Sequence, residues 1–524
     1  MNNGPANNAS ALLRTLIIYA IIVPLALLLG YLLIDLTNSN FQSGSSLAVV
    51  GIIAGILVFP LLVRWHYPLL LFCWSATIIV FFIKTTPNLG QVMIVVSLGL
   101  SILERILNPN RHFIRVPSVT LPLLFFLIVV WITAKINGGI GMHAFGSDVY
   151  GGRKYLVLFI GIAGYFALTS RPIPPEKARL YASLYLLGGV TTLIGDLYPL
   201  APSWAVFIFH VFPPSIGAIQ EGFDLGHTRL GGLGNAACAV YLWMLAQYGL
   251  RKIFFGGKLW RPVVLFLLVC LVLMGGYRTS LFLVGLSFIF LFFSEGLYRT
   301  RMLGLFILVG ILGATIMIPL ADKLPFTFQR ALSFLPVHVS PEAQASADAS
   351  TNWRKAMWTA LLPQIPQHLL VGKGYAISTE DYNEMMGGGM GFASIDAGDQ
   401  SLALSGDYHN GMISVVMCFG AWGVVVIVWF ICMGFRVMYY NMKYGRPELY
   451  TYNSMLFILY FNEMASYLSC LGGLTIASDM MTFVGPIGMS IALNHGMCRP
   501  PPKPMPLAET TQRRLVPVLP AYQQ

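Results

Sequence analysis

The sequence predicts an all-α polytopic membrane protein of about 14 transmembrane helices with one large loop outside the membrane. Three observations predict it. Of 524 residues, 56% are hydrophobic and 10% charged, with mean hydropathy +0.71, against roughly 25% charged residues in an average soluble domain. The apolar residues fall in blocks of roughly 16 to 24, long enough for a helix to cross about 30 Å of hydrocarbon while bonding its own backbone. Lys and Arg are also heavier in every second segment between those blocks.

In chain order, the spans fall near residues 12–34, 47–63, 68–83, 89–103, 119–134, 155–169, 180–197, 236–250, 262–276, 280–297, 303–320, 411–434, 451–470 and 477–495. The first follows a leader whose only charge is Arg14, and no small-residue cleavage pattern closes it. It therefore reads as a retained helix rather than a signal peptide. The organisation that results is a membrane bundle over 1–320 with an outer loop at 198–235, a large outer loop over 321–410 with short amphipathic helices, and three further spans over 411–496. A Pro-rich, aperiodic tail over 497–524 reads as disordered.

One alternating set of connections, including both ends of the chain, holds 21 of the 32 Lys and Arg residues. The positive-inside rule then puts both termini in the cytoplasm. The same rule accounts for the net charge of +11 without a nucleic-acid partner. Six of the seven cysteines, all but Cys498, lie in the spans, so no disulfide framework or Cys-based zinc site is visible.

Three outer segments depart from plain membrane helix. In the large loop, "TNWRKAMWTALLPQI" sets Trp353, Met357, Ala360 and Leu361 on one stripe, capped by Thr351 or Asn352 and resting on the membrane surface. Beyond it, "VGKGY", "MMGGGMGF" and the stretch with Asp396 and Asp399 read as mobile loops suited to a lid. In the 198–235 loop, "PSWAVFIFHVFPP" is too short to span and reads as a surface or re-entrant helix. The ninth and tenth spans are joined only by "GGYRTS".

These segments carry the candidate chemistry. "HTRLGGLGN" offers Arg229, "GGYRTS" Arg278, "TNWRKAMW" Arg354 and "GDYHNG" His409. Arginine donates two hydrogen bonds to a phosphate from a planar fork and keeps its charge beside a low-dielectric membrane. A diphosphate leaving group would be held and stabilised as its charge develops. Histidine takes a proton from an attacking hydroxyl near neutral pH. The bland readings are an arginine snorkelling to lipid phosphate and a histidine capping a helix. His227, His338 and His368 fit that second description, and Glu463 and Asp479 stay unassigned. Glu380, Asp381, Asp396 and Asp399 show no fixed ligand spacing, so neither a metal nor a cofactor is expected.

Taken in order over Thr228–Gly423, these segments resemble the O-antigen ligase and polysaccharide polymerase family, whose fold is related to the GT-C glycosyltransferases. The resemblance rests on Arg229 with Gly231, Gly232, Gly234 and Asn235, and on Arg278 with Thr279 and Ser280. It continues through Arg354, Trp358 and Gly372 to Gly374, and ends on His409, Asn410, Gly420 and Gly423. The family's Asn-Pro-Asn continuation is replaced by Ala236 and Ala237 after Asn235. The resemblance implies metal-independent transfer of a glycan from an undecaprenyl-diphosphate carrier to a hydroxyl acceptor on the periplasmic face of a bacterial inner membrane. The acceptor would be lipid A core, a growing glycan or a protein. His409, Arg354 and Arg229 would be catalytic, Arg229, Arg278 and Arg354 would bind the diphosphate, and Asn410 would stand on the acceptor side. The alternative is a transporter or flippase of lipid-linked saccharides, which calls for broken helices in repeated halves and charges near the midplane.

Overall fold

Apolar blocks that cannot hydrogen-bond to lipid become helices. The computed structural model describes residues 60, 63–138 (except 82, 84 and 111), 140, 150–215, 229–377, 406, 408–469 and 476–500. Within these residues every regular element is a helix, and extended pairing is limited to isolated bridges of Ile79 with Asn88 and of Tyr150 with Ile377. The first expected span, most of the second, His227, the chain beyond residue 500, and the loop with "MMGGGMGF", Glu380, Asp381, Asp396 and Asp399 lie outside the described residues.

Helix α1 occupies residues 63–75. It is followed by α2 (Leu89–Leu107), α3 (Pro117–Asn137) and α4 (Gly152–Leu168), then by the short α5 (Ala178–Leu187) and α6 (Thr192–Asp196). The long α7 (Gly231–Phe255) leads to α8 (Trp260–Met274), α9 (Arg278–Ser294) and α10 (Met302–Leu320). The large loop contributes α11 (Phe326–Leu332) and α12 (Pro341–Leu361), and the chain continues with α13 (Gly411–Tyr444), α14 (Tyr450–Ser469) and α15 (Ile476–Asn494). Among the described residues α2, α3, α13 and the helix through Met302–Lys323 are long and apolar enough to cross a membrane, while α8 and α9 are shorter apolar helices. The chain is a membrane protein.

The core forms where α4 lies along α15, with Gly161 against Met480 and Gly488 against Leu168. Small residues let helix backbones approach where lipid supplies no hydrophobic drive. α3 and α14 flank α13. The bundle has two ends. One, the loop end, gathers the end of α3, the start of α4, the α8–α9 turn, α11, α12 and the start of α13. At the other, Arg171 donates to the carboxylate of Glu104, and buried His66 shares a 2.8 Å hydrogen bond between its Nδ1 and Ser97 Oγ.

Four expectations need correction. The 68–83 span is helical only to residue 75; its β-branched run Thr77–Val80 is extended, with Ile79 N donating to Val211 O (2.8 Å) and Leu89 N to Ile78 O (2.7 Å). The 180–197 span breaks at Gly188–Thr191 into a 3₁₀ turn, where Gly188 packs on the backbone of Phe72. Helix α12 starts ten residues before the expected cap: Ser340 Oγ accepts from Ala343 N and Pro341 takes the first helical position. Its Met357 and Leu361 are buried in the protein core, so that stripe packs on protein rather than on a membrane surface. The segment Ser203–His210 is a short 3₁₀ helix with Trp204 75% and Phe207 64% exposed, in keeping with a surface element.

Candidate active site at the loop end

The site rests on a break in α13. At Gly420 φ is +65° and ψ −165°, so the helix ladder stops and its neighbours need other partners. The chain at 369–374 supplies them. Lys373 N donates to Met417 O (2.7 Å), Gly374 N donates to Cys418 O (3.0 Å), and Ala421 N donates to Leu369 O (2.6 Å). From α3, Asn137 Nδ2 donates to Gly372 O (3.1 Å), and on α4 the Tyr155 hydroxyl accepts from Tyr375 N (2.9 Å). The Tyr150–Ile377 bridge closes the far side. This strap needs glycine where backbones cross: a Cβ on Gly420 would lie 2.7 Å from Leu370 O, and one on Gly372 (φ +46°) would strike the Cys418 backbone. "VGKGY" is therefore a docked strap, not the mobile loop expected of it.

The start of α13 is fixed beside the strap. Tyr408 is fully buried; its carbonyl accepts from Trp358 Nε1 (2.8 Å), and Lys373 Nζ lies 5.3 Å from its ring centre. Burial, reinforced by Cys418, pushes the Tyr408 phenol well above its usual range, so it stays neutral. Asn410 is the N-cap, its Oδ1 accepting from Met412 N (3.0 Å) and Ile413 N (3.1 Å). An acceptor contact from Asn410 would therefore come from Nδ2. Between these two anchors His409 is held at φ +47°, a left-handed conformation that costs a non-glycine residue of order 1 kcal/mol or more. The His409 ring meets Trp353 edge-to-face, with centroids 4.7 Å apart.

Trp353 precedes half-buried Arg354 on α12, so the expected histidine and one expected arginine share a neighbourhood. The other two arginines lie by the α8–α9 turn, beside α11. Gly276, in the α8–α9 turn, faces both Arg229 and Thr327: a Cβ there would lie 3.6 Å from Arg229 Cγ and 3.7 Å from Thr327 Cβ. Arg278 opens α9 and its Nη2 donates to Ser333 Oγ (2.9 Å), just past α11. Arg330 Nη1 donates to Ser346 Oγ (2.8 Å) and ties α11 to α12. The α11–α12 hairpin thus links the Arg229–Arg278 group to the Arg354–His409 group. Glu463 lies on α14, and Asp479 in the first turn of α15.

The glycines after Arg229 behave differently from the loop expected of them. Gly231, Gly232 and Gly234 form the first turn of α7, with Gly234 packed on Gly275. Asp196, from α6, caps that turn: its Oδ2 accepts from Leu233 N (2.7 Å). Sequence reasoning missed Asp196, Arg330, Trp353 as the partner of His409, and Lys373. Only Trp353 had a usable signal, an aromatic directly beside an assigned arginine.

The described residues thus form a helical membrane protein with arginines and a histidine on or near one hairpin at one end. Residues 263–428 match the family model described as O-antigen ligase, which bears out the resemblance of this chain to an O-antigen ligase-like family. The matched segment runs from α8 into α13 and includes Arg278, Arg354, the strap, His409 and Gly420; Arg229 precedes it. No curated protein matches the chain. The family match points to glycan transfer or polymerisation at the membrane.

Proposed function

We propose that this protein transfers a glycan from an undecaprenyl-diphosphate carrier to a hydroxyl acceptor at the periplasmic face of a bacterial inner membrane, with both termini in the cytoplasm. The observation that carries the reading is His409, held in a left-handed turn with its ring against Trp353, next to Arg354. Backbone strain held by its surroundings is a mark of functional positions. In the reaction the acceptor oxygen bonds to the anomeric carbon as the bond from that carbon to the diphosphate oxygen breaks. The electron pair leaves on the diphosphate, and the hydroxyl proton passes to the imidazole of His409. Arg354, Arg278 and Arg229 meet the charge on the leaving group, so the transfer runs without a metal. An apolar groove of about 370 Å³ between α3 and α13, roofed by Leu370 and Val371 of the strap, gives the carrier's tail a path. The acceptor belongs to the hydroxyls of lipid A core, a growing glycan or a protein.

The transport reading draws on the broken helices, including α7, which breaks at Gly249. Two of the breaks are filled by protein. The strap occupies the one at Gly420, and at Gly249 the carboxylate of Glu295 accepts from Leu250 N (3.0 Å) and Arg251 N (2.7 Å). A transporter's broken helices face their substrate instead. The test is purified protein in proteoliposomes with a lipid-diphosphate glycan and a hydroxyl acceptor. Glycan-acceptor product is expected, falling by about 10² to 10⁴ in rate for His409→Ala and sharply for Arg354→Ala. Movement of the donor across the bilayer without product would sink the enzyme reading.

A further inference from the structure

The end of the bundle opposite the candidate site holds a second groove, about 540 Å³, between α2, α3 and α4. Leu98, Ile102, Leu121 and Phe166 give it an apolar floor, and Arg105 and Arg115 stand on its rim. Arg105 lies in the last turn of α2, with its guanidinium 5.7 Å from the Phe113 ring centre. Arg115 is exposed and comes two residues before Pro117, which opens α3; no side chain caps that helix start. Among the described residues no carboxylate pairs with either arginine, since neighbouring Glu104 is engaged by Arg171 and His66.

We infer that this groove binds an anionic phospholipid, its phosphate between Arg105, Arg115 and the start of α3 and one acyl chain along Leu98, Ile102, Leu121 and Phe166. Three features of different kinds meet there. Two unpaired guanidiniums attract a phosphate, and the positive end of a helix adds to them. The apolar floor requires the ligand to carry a hydrocarbon chain, which a free anion lacks. The net charge of the headgroup follows from the rim, because a zwitterionic lipid would bring its own ammonium beside two arginines. Basic pockets between membrane helices are a known mode of lipid recognition. This site is independent of the glycan-transfer reading, as it shares no residue with the loop end.

The probes are phosphatidylglycerol and phosphatidylcholine with identical chains, added to the purified full-length protein in neutral detergent and followed by native mass spectrometry and by Tm. Phosphatidylglycerol is expected to stay bound and raise Tm more than phosphatidylcholine. Arg105→Gln with Arg115→Gln should weaken its binding by roughly fivefold per arginine, leaving the two lipids alike, and Arg105→Lys with Arg115→Lys should keep most of the preference. Leu121→Trp, which obstructs the groove and keeps both charges, should also lose the bound lipid, and it provides the test if the double Gln variant does not fold. Equal binding of phosphatidylcholine to the wild type, or a preference that survives either the Gln pair or Leu121→Trp, overturns the inference. Stabilisation by glycerol 3-phosphate equal to that by phosphatidylglycerol overturns it too, since the site would then serve a free anion.

Discussion

Two parts of the loop end are built on opposite terms. The strap at 369–377 is held through its own backbone, by amides and carbonyls of α13, the Asn137 side chain of α3 and the Tyr155 hydroxyl of α4. The rim of Arg229, Arg278, Arg354 and His409 is held through side chains, by contacts with α11, α12 and the α8–α9 turn. Both carry residues of the family pattern, and the difference separates two reasons for a residue to be required. Gly372 and Gly420 are needed because chains cross there, whereas under the proposed function the arginines and the histidine would be needed for what they do to a substrate. Substitutions in the strap should therefore destroy the fold, and substitutions on the rim should leave a folded protein without activity.

The largest effect is expected at the strap. Gly420→Ala forces a methyl group to 2.7 Å from Leu370 O and 2.8 Å from Leu369 O at a positive φ. Backbone cannot move aside as a side chain can, so the cost should exceed about 4 kcal/mol, in the exceptional range for one substitution. Expression and size-exclusion chromatography should show little monodisperse protein. Wild-type yield and Tm for Gly420→Ala would mean that the strap does not dock as described.

His409→Ala is expected to do the reverse. Transfer should fall by about 10² to 10⁴, while loss of the contact with Trp353 costs stability about 0.5 to 1.5 kcal/mol. His409→Gly, which also relieves the left-handed strain, should be as inactive and at least as stable as His409→Ala. If activity and Tm fall together in both variants, His409 is a structural cap and the contrast between rim and strap collapses.

Trp358→Phe tests the join between the two parts. It keeps the ring and removes the Nε1 donor to Tyr408 O, which should lower stability by about 1 kcal/mol. Because Tyr408 adjoins His409, the transfer rate should drop more than that small change in Tm implies. An unchanged rate beside a lowered Tm would show that the anchor at Tyr408 does not position the imidazole.

The sequence made the membrane helices and the order of the rim residues legible, because hydrocarbon thickness and the need for fixed charge act on local composition. Arg278 at the first position of α9 and Asn410 at the head of α13 could be placed from local pattern alone. What stayed hidden depends on contacts between distant residues. Nothing near "VGKGY" reveals that its amides complete a helix broken some 45 residues later, so a glycine-rich stretch read as mobile. The stripe on α12 reads as apolar from sequence, yet periodicity cannot tell a membrane surface from the protein core in which Met357 and Leu361 are buried. Asp196 capping α7 was invisible for the same reason, since its partner amide at Leu233 belongs to another helix.

The smallest expected effect is a pH dependence of the strap itself. His368 ends the helical turn Ile365–His368, and its carbonyl accepts from Gly372 N (2.9 Å). Burial first, and then the nearby Lys373 ammonium, hold its imidazole below the ordinary value of about 6.5. The folded protein therefore binds this proton less readily than the unfolded chain does. Its contribution to stability is fully present above about pH 6.5 and is lost as pH falls towards the depressed folded value. His368→Gln cannot take up that proton. Between pH 7.5 and pH 5 the wild type should lose slightly more Tm than the variant, with the gap opening only on the acid side. A gap of the same size at both pH values would assign the effect of His368 to packing, and the strap would then be held by its backbone bonds without any electrostatic contribution from this residue.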